Sequence, residues 1–195
     1  MNDSVTRKKP ISRILVSENT LSLQECTFLI ALYDRYSELT CSGGYKSRPL
    51  HYYTLRDVDS ESASRMYGVT LRCKEKIKVY LSTRELFVES LFVARLLSGD
   101  SHVAHADNER REQGRWIPNH TPKRDYTGLA YLNDDFTGGE LVFPDLDVVI
   151  APKPGLLVGF PSNHKFVHAV PKVLSGRRYS LLVWFTVNSA EAMQV

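Results

Sequence analysis

The stretch SHVAHADN, residues 101–108, holds two side chains that can bind one metal ion together. His105 and Asp107 are two residues apart, and in an extended strand such residues project from the same face of a sheet. His168, far along the chain, is the residue that we assign as the third ligand. The pattern predicts a metal site carried by a β-sheet, with open coordination positions beside two imidazoles and one carboxylate.

The residues around this stretch are rich in short β-like runs. From Glu85 onward, apolar and β-branched runs alternate with turns made of Gly, Pro, Asn and Asp, which is typical of a sandwich or barrel. About eight strands suit a double-sheet jelly roll, so we predict a mainly β fold with flanking α-helices. The predicted strands are residues 87–97, 102–107, 126–132, 141–143, 148–150, 156–160, 166–170 and 179–187.

The first part of the chain is predicted to be mostly helical. Ile11–Val16 is a short candidate strand. Ser22-Leu23-Gln24-Glu25 has the sequence of a capping box, which predicts a helix from there to about Leu39. Residues 41–60 are predicted to be loop, with a short strand over His51–Leu55.

A second helix is predicted over residues 63–81, because apolar side chains recur there at helical spacing. We expect residues 1–195 to form one domain, since this length normally gives a single core. Within it, residues 1–87 would supply the strand and helices that support the sheet, and residues 88–187 would form the jelly-roll core.

The composition excludes several classes of protein. A net charge of +3 is too small to favour nucleic acid or a membrane surface as a partner. The three cysteines form no C-x-x-C pair, so neither a disulfide framework nor a thiolate zinc site is indicated. No apolar stretch has the length of a signal peptide or membrane span. We expect a soluble cytoplasmic monomer or homodimer.

Arg178 is the candidate anion-binding residue. It lies ten residues after His168, with Ser175-Gly176 as a turn between them, so we predict a hairpin that places both on adjacent strands facing one cavity. A guanidinium in a cavity requires an anion, and its planar fork fits a carboxylate. Ser180 and Tyr131 can add hydroxyl groups. A dicarboxylate that chelates iron at one end and pairs with Arg178 at the other would be 2-oxoglutarate.

Three blocks of the chain resemble the Fe(II)/2-oxoglutarate prolyl hydroxylase superfamily. They are His105–Asn108, the run RDYTGLAYLNDDFTGGE at Arg124–Glu140, and His168 with Arg178 ten residues later. The likeness covers roughly residues 88–187. Within the superfamily, these blocks are most similar to the catalytic domain of the prolyl 3-hydroxylases of the leprecan type.

The resemblance implies a double-stranded β-helix, a cupin-like jelly roll. It implies Fe(II), 2-oxoglutarate as co-substrate and O2, with ascorbate in a supporting role. It also implies hydroxylation of an unactivated C–H bond in a prolyl residue or a proline-like compound. The implied catalytic and cofactor residues are His105, Asp107 and His168 for the metal, and Arg178, Tyr131 and Ser180 for 2-oxoglutarate.

Two departures from the resemblance bear on the substrate. Prolyl 4-hydroxylases usually carry tyrosines nine and three residues before the first iron histidine, where this chain has Leu96 and His102. The leprecan enzymes are secretory-pathway proteins with large additional helical regions, and we expect neither feature here. The expected substrate is therefore a peptide, a free amino acid or another small metabolite of biosynthesis rather than collagen in the endoplasmic reticulum.

Other ligand sets and functions stay open at this point. His164 could replace His168 as a ligand, but Ser162-Asn163 is predicted to be a turn. Halogenation is disfavoured because Asp107 is present. A nucleic-acid demethylase is disfavoured because Trp184 stands six residues beyond Arg178, where that class has a second arginine. A jelly-roll binding module without turnover is the alternative from another class.

Residues 108–124 are predicted to be a lid without regular structure, because the stretch is long, polar and interrupted by Pro118 and Pro122. This lid is expected to meet an acidic substrate through Arg110, Arg111, Arg115, Trp116, Lys123 and Arg124. His102, Arg115 and Trp116 are the candidate substrate-binding residues.

Overall fold

A computed structural model describes residues 13–40, 47–83 and 85–195. It contains three α-helices: α1 at Leu23–Arg35, α2 at Tyr52–Val58 and α3 at Ser60–Tyr80. The capping box predicted before α1 is confirmed, because the Glu25 amide donates to the Ser22 hydroxyl and the Ser22 amide donates to the Glu25 carboxylate. A 3₁₀ turn at Ser37–Leu39 continues the chain after α1.

The structure contains fourteen strands in the part of the chain that it describes. In chain order they are β1 Leu15–Ser17, β2 Leu50–His51, β3 Phe87–Leu97, β4 His102–His105, β5 Glu109–Glu112, β6 Arg115–Pro118, β7 Tyr126–Tyr131, β8 Thr137–Gly138, β9 Leu141–Phe143, β10 Val148–Ile150, β11 Leu157–Pro161, β12 His168–Val170, β13 Val173–Ser175 and β14 Arg177–Thr186. Further 3₁₀ turns lie at Pro144–Leu146, His164–Phe166 and Ser189–Glu191.

Most strands belong to two antiparallel sheets that pack face to face. The major sheet has six strands in the order β1-β11-β7-β14-β3-β2, and the minor sheet has four in the order β10-β9-β12-β4. Apolar side chains from both sheets fill the space between them, as in the ring contact of Phe143 with Phe160 at 5.0 Å between centroids. Two small two-stranded sheets complete the strand set: β5 with β6, which is a hairpin, and β8 with β13, which are distant in the chain.

The helices cover the outer face of the major sheet. Strand β14 shows how the two faces of this sheet differ. On the helix side, the core takes in Leu181, Val183 and Phe185, whereas Trp184 packs on the other face. Helix α3 approaches the sheet so closely that a Cβ at Gly159 would lie 2.6 Å from Ile77 Cγ1. The alternation of β14 leaves its inner face for the cavity between the sheets.

The predicted fold class is confirmed, and all eight predicted strands are present with small shifts at their ends. The predicted strand over His51–Leu55 is wrong, because a helix begins at Tyr52 and buries Tyr52 and Leu55 on one side. The predicted structureless stretch at 108–124 is also wrong, since β5 and β6 pair within it.

Two predicted regions reach past the described residues. The candidate strand Ile11–Val16 starts there, and its described part contributes to β1. Residues 41–46 of the predicted loop also lie outside the described ranges. Across the described ranges, none of the helices has the length and apolarity needed to cross a membrane.

Candidate active site

Three side chains converge at one end of the minor sheet. His105 ends β4, Asp107 follows it directly, and His168 begins β12 opposite His105 in the sheet register. One ligand atom from each residue lies within 4.8 Å of the other two. Nε2 of His105 is 3.7 Å from Oδ1 of Asp107, and Nε2 of His168 is 3.7 Å from Oδ2. The three donors therefore surround a space of the size that one metal ion needs.

Hydrogen bonds orient both imidazoles toward this space. Nδ1 of His105 lies 2.8 Å from the carbonyl oxygen of Val103, and Nδ1 of His168 lies 3.1 Å from that of Phe166. A carbonyl oxygen can only accept, so each Nδ1 carries the proton. In a neutral ring the lone pair is then on Nε2, which is the atom that faces Asp107.

The protonation states fit metal binding. Burial by itself raises the pKa of Asp107, but the imidazoles of His168 and His105 and the hydroxyl of Thr127 outweigh it and hold the pKa well below its usual range. Burial lowers the pKa of His168, against the opposing effect of Asp107. For His105, the contacts with Asp107 outweigh burial and raise the pKa. Metal ligands must be ionised carboxylates and neutral imidazoles, and Asp107 and His168 are already in those forms at neutral pH.

The opposite wall of the cavity belongs to the major sheet and carries a buried cation. Arg178 is 3% exposed; its Nε donates to the carbonyl of Gly139 at 2.9 Å and its Nη1 to the Ser180 hydroxyl at 3.4 Å. Its Nη2 is buried without a hydrogen-bond partner, and so is the hydroxyl of Tyr131, whose ring centroid lies 5.0 Å from the guanidinium carbon.

Buried donors without partners are costly, and a buried cation requires an anion. A carboxylate placed between Arg178 and Tyr131 would satisfy both groups at once. The residues present therefore fit a carboxylate ligand at this wall and a divalent metal at the other, with about 390 Å³ of cavity connecting them.

A third part of the cavity wall is apolar. Trp184 and Phe92 pack together there, with ring centroids 5.3 Å apart, and the Nε1 of Trp184 is buried without a partner. The Arg124 guanidinium carbon lies 3.5 Å from the Trp184 ring centroid, and its Nε pairs with Glu89 at 3.2 Å. His51 and His102 also line this cavity.

The predicted hairpin between His168 and Arg178 is wrong. Strand β12 belongs to the minor sheet and β14 to the major sheet, so the two residues face each other across the cavity rather than lying on adjacent strands. The short strand β13 intervenes and pairs with β8 instead. The predicted neighbours of Arg178 are nevertheless close to it, because Ser180 is two residues along the same strand and pairs with Tyr131 of β7.

Arg115 and Trp116 do not line the cavity. The β5–β6 hairpin carries them outward, and the Trp116 ring stacks on His164 with centroids 5.6 Å apart. His164 is held by Glu109 at 2.7 Å from its Nδ1, away from the metal-ligand cluster. Asn119, His120 and Thr121 are the members of the stretch 108–124 that, with Arg124, reach the cavity.

Sequence reasoning missed Thr127, whose hydroxyl contacts the Asp107 carboxylate, and Ser162, whose hydroxyl contacts Thr127 and whose carbonyl accepts from the Asp107 amide. Strand alternation could have found Thr127, because it shares the parity of Leu129 and Tyr131 on β7 and therefore faces the same side. No local signal marks Ser162, since it follows the end of β11 and meets the site only through the fold.

Comparisons with known proteins place this geometry in a family. Residues 91–186 match the family model described as the 2OG-Fe(II) oxygenase superfamily. The chain therefore carries a 2OG-Fe(II) oxygenase domain. Enzymes of this superfamily use Fe(II), 2-oxoglutarate and O2, and the His-Asp-His cluster of this domain fits the iron.

Curated relatives of this oxygenase domain are prolyl 3-hydroxylases. Human prolyl 3-hydroxylase 2 is 33% identical over 151 residues, which cover 67% of this chain and 21% of that protein. Human prolyl 3-hydroxylase 3 is 34% identical over 149 residues, covering 66% of this chain and 20% of that protein. The chain thus spans about a fifth of the length of these relatives.

Solved structures support the same fold. The viral collagen prolyl hydroxylase from Paramecium Bursaria Chlorella virus-1 superposes with a TM-score of 0.65 at 21% identity, covering 93% of this chain and 97% of that one. A prolyl-4-hydroxylase from Pseudomonas putida gives 0.64 at 19% identity, covering 90% and 93%. The oxygenase domain therefore has the double-stranded β-helix fold of its superfamily.

Proposed function

We propose that this protein is an Fe(II)- and 2-oxoglutarate-dependent oxygenase that hydroxylates a prolyl residue of a peptide. One observation carries the proposal: the buried Arg178, with an unpaired Nη2, lines the same cavity as the cluster of His105, Asp107 and His168. The unpaired hydroxyl of Tyr131 is buried beside it. A metal site and a carboxylate site on facing walls are what a chelating dicarboxylate co-substrate needs.

The roles follow from the positions of the residues. The Nε2 atoms of His105 and His168 and a carboxylate oxygen of Asp107 would hold the iron. Arg178, with Ser180 and Tyr131, would bind the carboxylate of 2-oxoglutarate that is remote from the metal. Bound Fe(II), with O2 as oxidant and 2-oxoglutarate as reductant, supplies the C–H oxidation that side chains alone cannot perform, and succinate and CO2 leave as co-products.

The proposed substrate rests on the relatives and on the apolar wall of the cavity. The curated relatives are prolyl 3-hydroxylases, and the family match at residues 91–186 includes most of the residues that line this cavity. Trp184 and Phe92 offer an apolar wall for a pyrrolidine ring. Beside that wall, the Trp184 Nε1 and the Arg124 guanidinium can donate to carbonyl oxygens of a peptide backbone.

The first experiment tests the cofactor chemistry. Purified protein is mixed anaerobically with Fe(II) and 2-oxoglutarate, and the visible charge-transfer band of the chelate is recorded. The band should appear in the wild type and be lost in Asp107→Ala, because losing a ligand costs more than the roughly 10–100-fold that losing a ligand's hydrogen-bond partner costs. Asp145→Ala, an exposed carboxylate in a 3₁₀ turn, is the matched control and should keep the band.

The second experiment tests the substrate. Succinate formation is measured with proline-containing peptides and, separately, with free amino acids, and the product is located by mass spectrometry. Peptide-dependent succinate with a matching gain of one oxygen on proline supports the proposal. Turnover with free amino acids alone would contradict the peptide assignment, and a well-folded wild type without the band would contradict the oxygenase assignment.

A further inference from the structure

Asp107 is held from behind by two hydroxyl groups. Oγ1 of Thr127 lies 2.5 Å from Oδ2 of Asp107, and the hydroxyl of Ser162 lies 2.8 Å from that of Thr127. Thr127 and Ser162 are each 1% exposed, and Asp107 is 7% exposed. Three polar side chains from different parts of the chain thus form a line that is closed to solvent and ends at the metal-ligand cluster.

The direction of each hydrogen bond in this line is fixed by the number of protons. An ionised carboxylate has none to give, so Thr127 donates its single hydroxyl proton to Oδ2 of Asp107. The Thr127 oxygen must then accept, which makes Ser162 the donor of the second bond. The line therefore runs from Ser162 to Thr127 to Asp107 and leaves no hydroxyl proton unused.

The same neighbours also fix the backbone of Asp107. Its amide donates to the carbonyl of Ser162 at 2.9 Å. Its own carbonyl accepts from the Thr121 hydroxyl at 2.8 Å and from the Asn119 side-chain amide at 3.1 Å. With the backbone held on both sides, the Thr127 contact is what decides how the carboxylate is turned.

The two carboxylate oxygens of Asp107 therefore differ in their hydrogen-bond partners. Each oxygen lies 3.7 Å from the Nε2 of one imidazole, Oδ1 from that of His105 and Oδ2 from that of His168. Among the described residues, Oδ2 is the one that also accepts a hydrogen bond from a hydroxyl group, that of Thr127. We propose that Thr127, with Ser162 behind it, is a positioning residue that makes Asp107 bind iron through Oδ1 alone. The inference rests on the proposed function and adds residues to its metal site.

Binding through one oxygen matters because of the number of positions on the metal. A set of two histidines and one single-oxygen carboxylate fills one face of an octahedral ion and leaves the opposite face open. If 2-oxoglutarate chelated the ion there, Asp107 bound through one oxygen would leave the positions that the chelate needs, and Asp107 bound through both oxygens would remove one of them.

The test compares Thr127→Val with Thr127→Ser. Valine has the shape of threonine without the donor, and serine keeps the hydroxyl. Anaerobic Fe(II) titration should show affinity about 10–100-fold weaker in Thr127→Val, the usual cost of losing a ligand's hydrogen-bond partner, and within about threefold of wild type in Thr127→Ser. The charge-transfer band with 2-oxoglutarate should move in Thr127→Val and return to its wild-type position in Thr127→Ser.

Ser162→Ala provides an independent test of the same inference. Ser162 acts on the carboxylate through Thr127, so Ser162→Ala should weaken Fe(II) binding less than Thr127→Val, and the double variant should bind no more weakly than Thr127→Val. Additive losses in the double variant would overturn the ordered line of donors. Unfolding of the metal-free variants by denaturant checks that each is folded.

The outcomes separate this inference from the proposed function. A band in the wild type that keeps its position and its Fe(II) affinity in Thr127→Val would overturn the positioning role and leave the oxygenase assignment standing. Absence of the band in folded wild type would overturn both. A loss in Thr127→Val that Thr127→Ser does not restore would mean that shape, not the hydroxyl, carries the effect, and would also overturn the inference.

Discussion

The two walls of the cavity differ in how deeply their residues are buried and in how their strands are paired. The carboxylate-binding wall lies on β14 and β7, in the middle of the six-stranded sheet, and its Arg178 and Tyr131 are 3% and 0% exposed. The metal-ligand wall lies on the four-stranded sheet, where β4 is an edge strand and the His105 side chain is 42% exposed. A central strand is held by hydrogen bonds on both sides, and an edge strand on one side only.

This difference indicates which residues are held firmly without a ligand. Arg178 is fixed by Gly139 and Ser180, with one donor free for an anion. On the other wall, His168 lies on the inner strand β12 and Asp107 is held by Thr127 and through its backbone, so the exposed His105 on the edge strand is the ligand whose position the ion would complete. Substitutions on the two walls should therefore affect different measurements.

The largest predicted effect comes from Arg178→Met. Methionine fills similar space but removes the charge-assisted hydrogen bonds to the co-substrate, which costs about 3 kcal/mol or more and weakens 2-oxoglutarate binding about 100-fold or more. Calorimetric titration of 2-oxoglutarate, with Mn(II) in place of Fe(II), measures this loss of affinity. The free energy of unfolding of the ligand-free protein should stay equal or rise, because a buried unpaired cation has been removed.

Arg177→Met is the matched control, since Arg177 is the neighbouring residue of β14 and is exposed on the outside. It should leave 2-oxoglutarate affinity unchanged. Metal affinity should be close to wild type in both variants. If Arg178→Met weakened metal binding as strongly as 2-oxoglutarate binding, the division between the two walls would be wrong.

The next effect is a pH dependence of the metal-ligand wall. Burial and the nearby His105, Arg178 and His168 lower the pKa of His102 to about 4, against about 6.5 in an unfolded chain. Between these values the unfolded state binds more protons, so the stability of the metal-free protein rises with pH there and is lost as pH falls. For a partly exposed group such as His102, the free energy of unfolding should fall by about 2 kcal/mol by pH 4.

His102→Phe isolates this contribution, because phenylalanine cannot be protonated. Denaturant unfolding in the presence of a chelator, at pH 7.5 and at pH 4.5, should show a smaller stability loss on acidification in the variant than in the wild type. Equal losses in the two proteins would show that His102 is not held neutral by its surroundings.

The smallest predicted effect compares two tryptophans. Trp184→Leu removes the ring from the apolar cavity wall together with its unpaired Nε1, so the KM for peptide should rise about tenfold, as loss of an apolar contact surface and one donor implies. Trp116→Leu, on the outward hairpin, should change this KM less than about threefold, and the KM for 2-oxoglutarate should not move in either variant.

The reverse order of effects would restore the lid hypothesis. A large rise in peptide KM in Trp116→Leu beside a small one in Trp184→Leu would mean that the β5–β6 hairpin, rather than the apolar wall, meets the substrate.

Several properties stay predictions. They are the substrate roles of Arg115, Trp116 and His102, the oligomeric state, the single-domain arrangement and the cytoplasmic location.

Much of the fold and of the candidate site could be predicted because it depends on local spacing. Alternation places Arg178 with Ser180, since every second residue of a strand shares a face. The same rule predicted that His105 and Asp107 lie together, and they do, although Asp107 lies two residues past the end of β4. The capping box before α1 is equally local, because Ser22 and Glu25 satisfy each other's amides within one turn. The resemblance of the three blocks then indicated the superfamily that residues 91–186 match.

Other features could not be read from spacing. The stretch Tyr52–Val58 is rich in aromatic and β-branched residues that favour strands, yet it forms α2, because packing of Tyr52 and Leu55 in the core outweighs propensity. In the hairpin of β5 and β6, the first strand is Glu-Arg-Arg-Glu and the second is Arg-Trp-Ile-Pro, so no alternation of apolar and polar residues marks the pair.

By itself the sequence determined which residues are the candidates for the chemistry: the His-x-Asp pair, the downstream His168 and Arg178, and the face that each is expected to share with its near neighbours. Only the tertiary structure decided that His168 and Arg178 lie on opposite sheets, that Trp116 turns away while Trp184 lines the cavity, and that Thr127, with Ser162 next to it, contacts Asp107. The reason is physical: alternation fixes the direction of a side chain within its strand, whereas the partner across the cavity depends on which sheet that strand joins.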